Sequence, residues 1–237
     1  MDQVRDHPAG LQQHAIIEVA RRVVVQLLLI AAAVAAFGHG QWLWAALAFV
    51  LAVLVYALVP RPLPPHGALH HERLPSVYMP DLVGFLLASV FLAMPFVIAA
   101  QQPQLGRSWA LILFLWLPGL IALAILWLAI GYQCFWLLLA ADGLTVSTVR
   151  GIEHLPFDHI IVARAETGRP PRWLGPLLVF LGGWRGLGIA LLHADTERHA
   201  LLITRSDGTV LRLPADAFPG AGKVVKALRQ AGVSVDS

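Results

Sequence analysis

The chain has 237 residues, of which 58% are hydrophobic and only 13% charged, against roughly 25% charged in ordinary soluble domains. A domain of this size in water keeps a large surface in need of polar cover, so lipid is expected to supply part of its surroundings. Seventeen Lys and Arg against fourteen Asp and Glu is too even a balance for a protein built to neutralise nucleic acid, and a single cysteine, Cys134, excludes an internal disulfide framework and a cysteine-rich zinc site.

Apolar runs near the length of a bilayer span, about 17–25 residues, occur four times. The first is Val23–Phe37, which reaches spanning length if Arg21 and Arg22 snorkel at its start. Trp42–Val59 is the second. Leu82–Ala100 carries Pro95, and the fourth, from Trp109 to about Ile130, carries Pro118 and Gly119. Such breaks are tolerated where neighbouring helices repair the freed backbone groups, so the four read as a bundle. A cleaved signal peptide fits the first run poorly, because twenty-two residues precede it and Asp2, Asp6 and Glu18 are unlike a short basic leader.

Orientation follows from the cations, which cytoplasmic segments retain. Arg5, Arg21 and Arg22, then Arg61 and Arg73, then every Lys and Arg from Arg150 onward fall on one side; only Arg107 falls on the other. Both termini are therefore expected in the cytoplasm, with the chain integral to a cytoplasmic (inner) membrane. Trp42, Trp44 and Trp109 open outer ends and Trp127 sits near an inner one, as an aromatic belt requires. No ionisable side chain is expected in mid-span, where pumps and proton relays need them. Gln26 reads as an interhelical hydrogen-bonding group.

Between the second and third runs lies HGALHHERLP. His66 and His70, four apart, would share a helix face, and His71 and Glu72 add possible metal ligands. Pro62, Pro64, Pro65 and Pro75 leave room for two helical turns at most, and the second histidine of HExxH is missing. A solvated loop is the expectation; a metal-dependent membrane enzyme using His66, His70 and His71 is the alternative. No GxSxG is present, and Asp158-His159 reads as a turn residue followed by entry into a strand.

After Gly131 the pattern changes. In FWLLLAADGLTVSTV, Asp142-Gly143 separates two β-rich runs and reads as a type I′ hairpin turn, with positive φ at both residues. RGIEHLPFDHIIVARAE continues with a short strand near Arg150, a turn around Pro156 and a strand over 160–163. HALLITRSDGTVLRLP repeats the turn at Asp207-Gly208. The remainder reads as a terminal helix with Val224, Val225 and Leu228 on one face, Lys223, Lys226 and Arg229 nearer solvent, and Gly232 as its stop.

The order of these elements, a span leading into LLLAADGLTVSTVRGIEHLPFDHI, then HALLITRSDGTVLRLPADAFPG and a closing helix, resembles the bacterial pleckstrin-homology-like domains attached to short membrane bundles, including YcxB-like proteins. The resemblance covers roughly residues 132–233 and consists of structural residues. It implies a PH-like fold and a non-enzymatic role. The fold expected is thus a four-span α-helical membrane bundle, residues 1–131, followed by a small cytoplasmic α+β PH-like domain, residues 132–237, with a C-terminal capping helix.

An apolar insertion, residues 168–195, interrupts that pattern. Arg169, Arg172 and Arg185 would meet anionic headgroups while Trp173, Phe180 and Trp184 sink into the interface. The same stretch is also compatible with a place in the domain core or with a fifth span, the latter carrying Arg185 inside it. Its GGWRGLG lacks the Lys-Ser or Lys-Thr of a phosphate loop. With no catalytic constellation and no cofactor or metal expected, the function expected is a non-catalytic inner-membrane protein. Its partners would be the lipid bilayer and a membrane protein, and its role to bind that protein or assist assembly of a membrane complex. A transporter accessory subunit is a further alternative.

Overall fold

Residues 8–61, 63–106, 108–168, 198–214 and 221–236 are described by a computed structural model. They are mostly helical, with three helices long and apolar enough to cross a membrane and a small sheet region. The described residues divide into two units. The first is built from the chain up to His66, His71–Trp136 and Ser147–Ile152; the second holds Gly67–His70, Leu137–Val146 and the chain from Glu153 onward.

In the helical unit α1 spans Pro8–Ala33 and continues through a π-helical turn, Val34–Gly38. The span-length stretch is Gln13–Gly38, ten residues earlier in onset than the apolar run alone suggests. Ala15, Glu18, Arg22 and Val25 are buried at helical spacing, so the inward face of α1 carries two charged residues between apolar ones. Helix α2, Trp42–Leu58, has 17 residues, fewer than the three long ones. The third, α3, spans Met79–Gln101 after a π-helical turn at Leu74–Tyr78 and runs unbroken through Pro95. A short helix, α4 (Pro103–Gly106), precedes α5, Trp109–Cys134, which contains Pro118.

One core residue comes from each of the four principal helices: Val25, Ala52, Phe85 and Leu126 cluster together, with Leu28, Val55 and Leu123 against them. Helices α3 and α5 come closest. A Cβ placed on Gly84 would lie 2.6 Å from Cδ2 of Leu126, and one on Gly119 would lie 2.7 Å from Cδ2 of Leu92. Ala88 and Ala122 are buried in the same helices. Small residues at such a seam let backbones approach where no hydrophobic effect drives association. The outward faces remain apolar, as at Leu43, Leu58, Leu113 and Phe114, which fits hydrocarbon surroundings.

Two four-stranded sheets form the β region. The first is ordered β1-β2-β3-β4, from Leu69–His70, Trp136–Leu139, Gly143–Thr148 and Gly151–Pro156. The second contains β5 (Ile160–Gly168), β6 (Arg198–Arg205), β7 (Val210–Pro214) and β8 (Ser234–Asp236), in the order β7-β6-β5-β8. β6 is antiparallel to both neighbours, with Ala163 opposite Ile203 and Ile203 opposite Leu211. α6, Ala221–Gln230, lies between β7 and β8, and β8 pairs parallel to β5 with Ala163 opposite Val235.

The terminal helix behaves as its sequence predicts. Val224 and Leu228 are buried and Lys223, Lys226 and Arg229 exposed. Gly232 takes φ +80°, its N–H reaching Arg229 O at 3.1 Å and the Val233 N–H reaching Leu228 O at 3.0 Å, the paired bonds of a Schellman stop. The strand β8 beyond it was not expected.

Both Asp-Gly turns need correction. No residue other than glycine has positive φ among the described residues, and Gly143 is not one of the glycines that do, so Asp142-Gly143 is not a type I′ turn. The loop sits one residue earlier, at Ala141-Asp142, closed by Ala140 N–H to Gly143 O at 2.9 Å. Gly143 lies in β3, where a Cβ would strike the Leu155 carbonyl and sit 2.8 Å from Pro156 Cα. At Asp207-Gly208 only the glycine is left-handed, φ +79°. Gly208 N–H to Arg205 O at 3.0 Å and Arg205 N–H to Thr209 O at 2.9 Å give a longer hairpin loop with a glycine bulge.

Candidate functional site

Glu18, Arg21 and Arg22 stand on consecutive turns of α1 at i, i+3 and i+4, an order that favours pairing along a helix. Glu18 Oε2 accepts from Arg21 Nη2 and Arg22 Nη1. Arg22 then crosses to α3: its Nε donates to Asp81 Oδ1 and its Nη2 to Asp81 Oδ2, both at 2.8 Å. Tyr56, near the end of α2, donates its hydroxyl to Asp81 Oδ2 at 2.7 Å. Glu18, Arg22 and Asp81 are each at least 98% buried at the side chain.

Aromatic rings complete the network. The Arg21 guanidinium lies 5.1 Å from the Tyr56 ring centre, and that of Arg61 lies 5.0 Å from Tyr56 and 4.9 Å from Tyr78. Arg61 also donates to the Tyr78 hydroxyl and to the Tyr56 carbonyl. Three guanidiniums thus face two carboxylates. Desolvating such ions costs several kcal/mol each, offset only where the geometry is good and the remaining donors are met. The two-point Arg22–Asp81 pair meets that condition. Glu18 Oε1 and the Arg21 Nε and Nη1 find no hydrogen-bond partner among the described residues.

Arg21 and Arg22 therefore do not snorkel. Their helix begins well before the apolar run, and carboxylates one turn back and on α3 lie within reach, so both side chains turn inward. Charged residues lie inside the span-length helices, toward one end of each: Glu18, Arg21 and Arg22 in Gln13–Gly38 and Asp81 in Leu74–Gln101. Gln26 does bond between helices, Nε2 to Ser89 Oγ at 3.0 Å.

The histidine segment is not helical. His66 and Gly67 form a turn, with φ +83° at the glycine, and His70 lies in β1, so His66 and His70 do not share a helix face. His71 is buried, its ring 4.7 Å from that of Tyr132 and 5.0 Å from that of Phe135. Among the described residues no three His, Cys, Asp or Glu are grouped to hold a metal. Asp158-His159 forms a 3-10 turn that leads into β5. Cys134 is buried and borders a cavity of about 140 Å³ with His14, Gln133 and Thr148.

One pairing was not anticipated from the sequence. Thr145 Oγ1 lies 3.0 Å from His154 Nδ1, and His154 Nε2 lies 3.7 Å from Asp142 Oδ2. The order hydroxyl, imidazole, carboxylate is that of a nucleophile and its base. Thr145 is 96% buried, so the contact pins β3 to β4 and presents no hydroxyl to solvent. On β6, Arg205 donates to Glu153, which holds the guanidinium pKa above its ordinary value. Arg169, Arg172, Trp173, Phe180, Trp184 and Arg185, the predicted membrane-surface residues, lie outside the described residues, as does GGWRGLG. No known protein family, curated protein or solved structure matches the chain.

Proposed function

We propose that the chain is a non-catalytic integral membrane protein that anchors a partner-binding domain to the inner membrane. The observation that carries this reading is the buried Glu18–Arg22–Asp81–Tyr56 network, in which Glu18, Arg22 and Asp81 are engaged with one another and, with Tyr56, clamp α1, α2 and α3 in register. Buried polar groups retained despite their cost are best attested as devices that fix register. In this reading α2 is a short fourth span, both termini are cytoplasmic, and residues 132–237 form the PH-like module that engages a membrane-protein partner.

Crosslinking in intact membranes tests it. One membrane protein should be recovered in stoichiometric amount, attached through residues 132–237. Recovery of the chain alone, or crosslinks confined to the helices, would overturn partner binding through that module.

A further inference from the structure

The outward face of α6 carries charge and no apolar side chain. Val224 and Leu228, both buried, fix the inward direction of the helix. At about 100° per residue, Lys226 falls opposite their midpoint, with Lys223 and Arg229 about 60° to either side of it. Gly222 and Gln230 fill the rest of that arc, and all five residues are exposed. No acidic side chain occurs from Ala217 to Val235, and none of the three cations is in an ion pair among the described residues. The positive charge of this face, set along about 9 Å of helix, is therefore uncompensated there.

Such a face suits an anionic surface and suits a protein groove poorly. Protein interfaces are anchored at their centre by aromatic and apolar groups and are depleted in Lys, and this arc supplies no such anchor. An anionic lipid surface needs none, because each Lys or Arg within a Debye length of it is attracted in its own right. That surface is also at hand. β2 begins at Trp136, with Phe135 alone between it and the end of α5 at Cys134, so the sheets are tethered directly to a helix of spanning length.

We propose that the outward face of α6, through Lys223, Lys226 and Arg229, docks on anionic phospholipid headgroups of the membrane that holds the helices. The inference rests on the span-length apolar helices and does not depend on partner binding by residues 132–237.

The test places a nitroxide at Gln230→Cys in the full chain, with Cys134→Ala removing the only other thiol. The protein is reconstituted in vesicles of phosphatidylcholine alone or of equimolar phosphatidylglycerol and phosphatidylcholine, each with a nickel chelate anchored to a few headgroups. Relaxation of the nitroxide by nickel reports docking, and because both leaflets share one composition the result does not depend on orientation. The docked-to-undocked ratio should be about a hundredfold higher in the anionic vesicles, roughly fivefold for each cation. It should collapse in about 1 M salt, where the Debye length is about 3 Å. Lys223→Gln, Lys226→Gln and Arg229→Gln together should abolish the difference between the vesicles with helical circular dichroism unchanged. Lys226→Gln alone should lower the ratio about fivefold, and serves where the triple variant does not fold. Equal relaxation in both vesicles, relaxation in neither, or a preference for anionic vesicles that survives the substitutions overturns the proposal.

Discussion

Arg22 and Asp81, 59 residues apart in sequence, meet as a two-point pair between α1 and α3, with both bonds at 2.8 Å and both side chains out of reach of solvent. Removing one member strands the other. Asp81→Asn is expected to cost about 3–5 kcal/mol, the range for an uncompensated buried charge, and well above the roughly 0.6 kcal/mol average of interhelical hydrogen bonds in a membrane protein. Arg22→Met combined with Asp81→Leu removes both charges and leaves Glu18 with Arg21. Detergent-driven unfolding should place that double variant nearer the parent than Asp81→Asn alone. A double variant less stable than Asp81→Asn would show that the pair contributes more than the avoidance of a stranded ion.

The α3–α5 seam supplies the second expectation. An alanine at position 84 must displace Leu126, which is 95% buried and has its Cγ 2.8 Å from the new methyl. Gly84→Ala should destabilise by about 1–3 kcal/mol through overpacking, and Leu126→Ala in that background should restore part of the loss. A coupling energy below about 0.5 kcal/mol in the double-mutant cycle would mean that the seam adjusts without strain.

What the sequence makes legible is local. The Gly232 stop was readable because its bonds close within six residues, and the face formed by Val224 and Leu228 because helical spacing displays it. The start of α1 was hidden because Glu18, Arg21 and Arg22 lower the hydropathy of a stretch that is nevertheless helical. Their burial depends on Asp81, and no periodicity links position 22 to position 81. β8 is three residues long and pairs with a strand some 70 residues earlier, a separation at which pattern carries no signal. The two Asp-Gly pairs show the limit within a turn: the same dipeptide yields a bulge glycine at 208 and a strand glycine at 143, the second fixed by the Leu155-Pro156 backbone beside it.

That close approach makes Gly143→Ala a sharp test of the first sheet. The obstruction is backbone, a carbonyl and a Cα, and neither rotates away as a side-chain tip does. A loss of about 1–3 kcal/mol is expected, with earlier melting of the sheet signal. Gly222→Ala, at an exposed position of α6 with open space around it, should instead stabilise by about 0.4–1 kcal/mol, because alanine narrows the unfolded ensemble. Equal effects at the two positions would contradict the packing at β3.

Asp207 accepts from the Thr209 hydroxyl at 2.6 Å and from its backbone N–H at 2.8 Å, which lowers the carboxyl pKa below its ordinary value. A lowered carboxylate favours the folded hairpin at pH values above the unfolded pKa of about 3.9. That contribution disappears as pH falls through the lower folded value. Thr209→Val removes the hydroxyl and keeps the N–H, so the Asp207 carboxyl, followed by carbon NMR in the full chain, should titrate at higher pH than in the parent. An unchanged titration would rule out the hydroxyl as a cause.

The side on which the C-terminus lies turns on α2. At 17 residues it is about 26 Å long, short of the roughly 30 Å hydrocarbon core, yet it carries no charge and exposes Leu43, Leu47, Leu54 and Leu58. Lying in the interface would set one flank of that apolar surface against headgroups and water, whereas crossing needs only local thinning of the bilayer, at fractions of a kcal/mol per Å of mismatch. Crossing is therefore favoured. Four passages would return the C-terminus to the side of the N-terminus; three would separate them. Reporters fused after Phe37, Arg73, Gln104 and Ser237 should read outside, inside, outside and inside. A reporter at Arg73 that reads outside, with the C-terminal reporter also outside, would place α2 in the interface and reverse the orientation of everything after it.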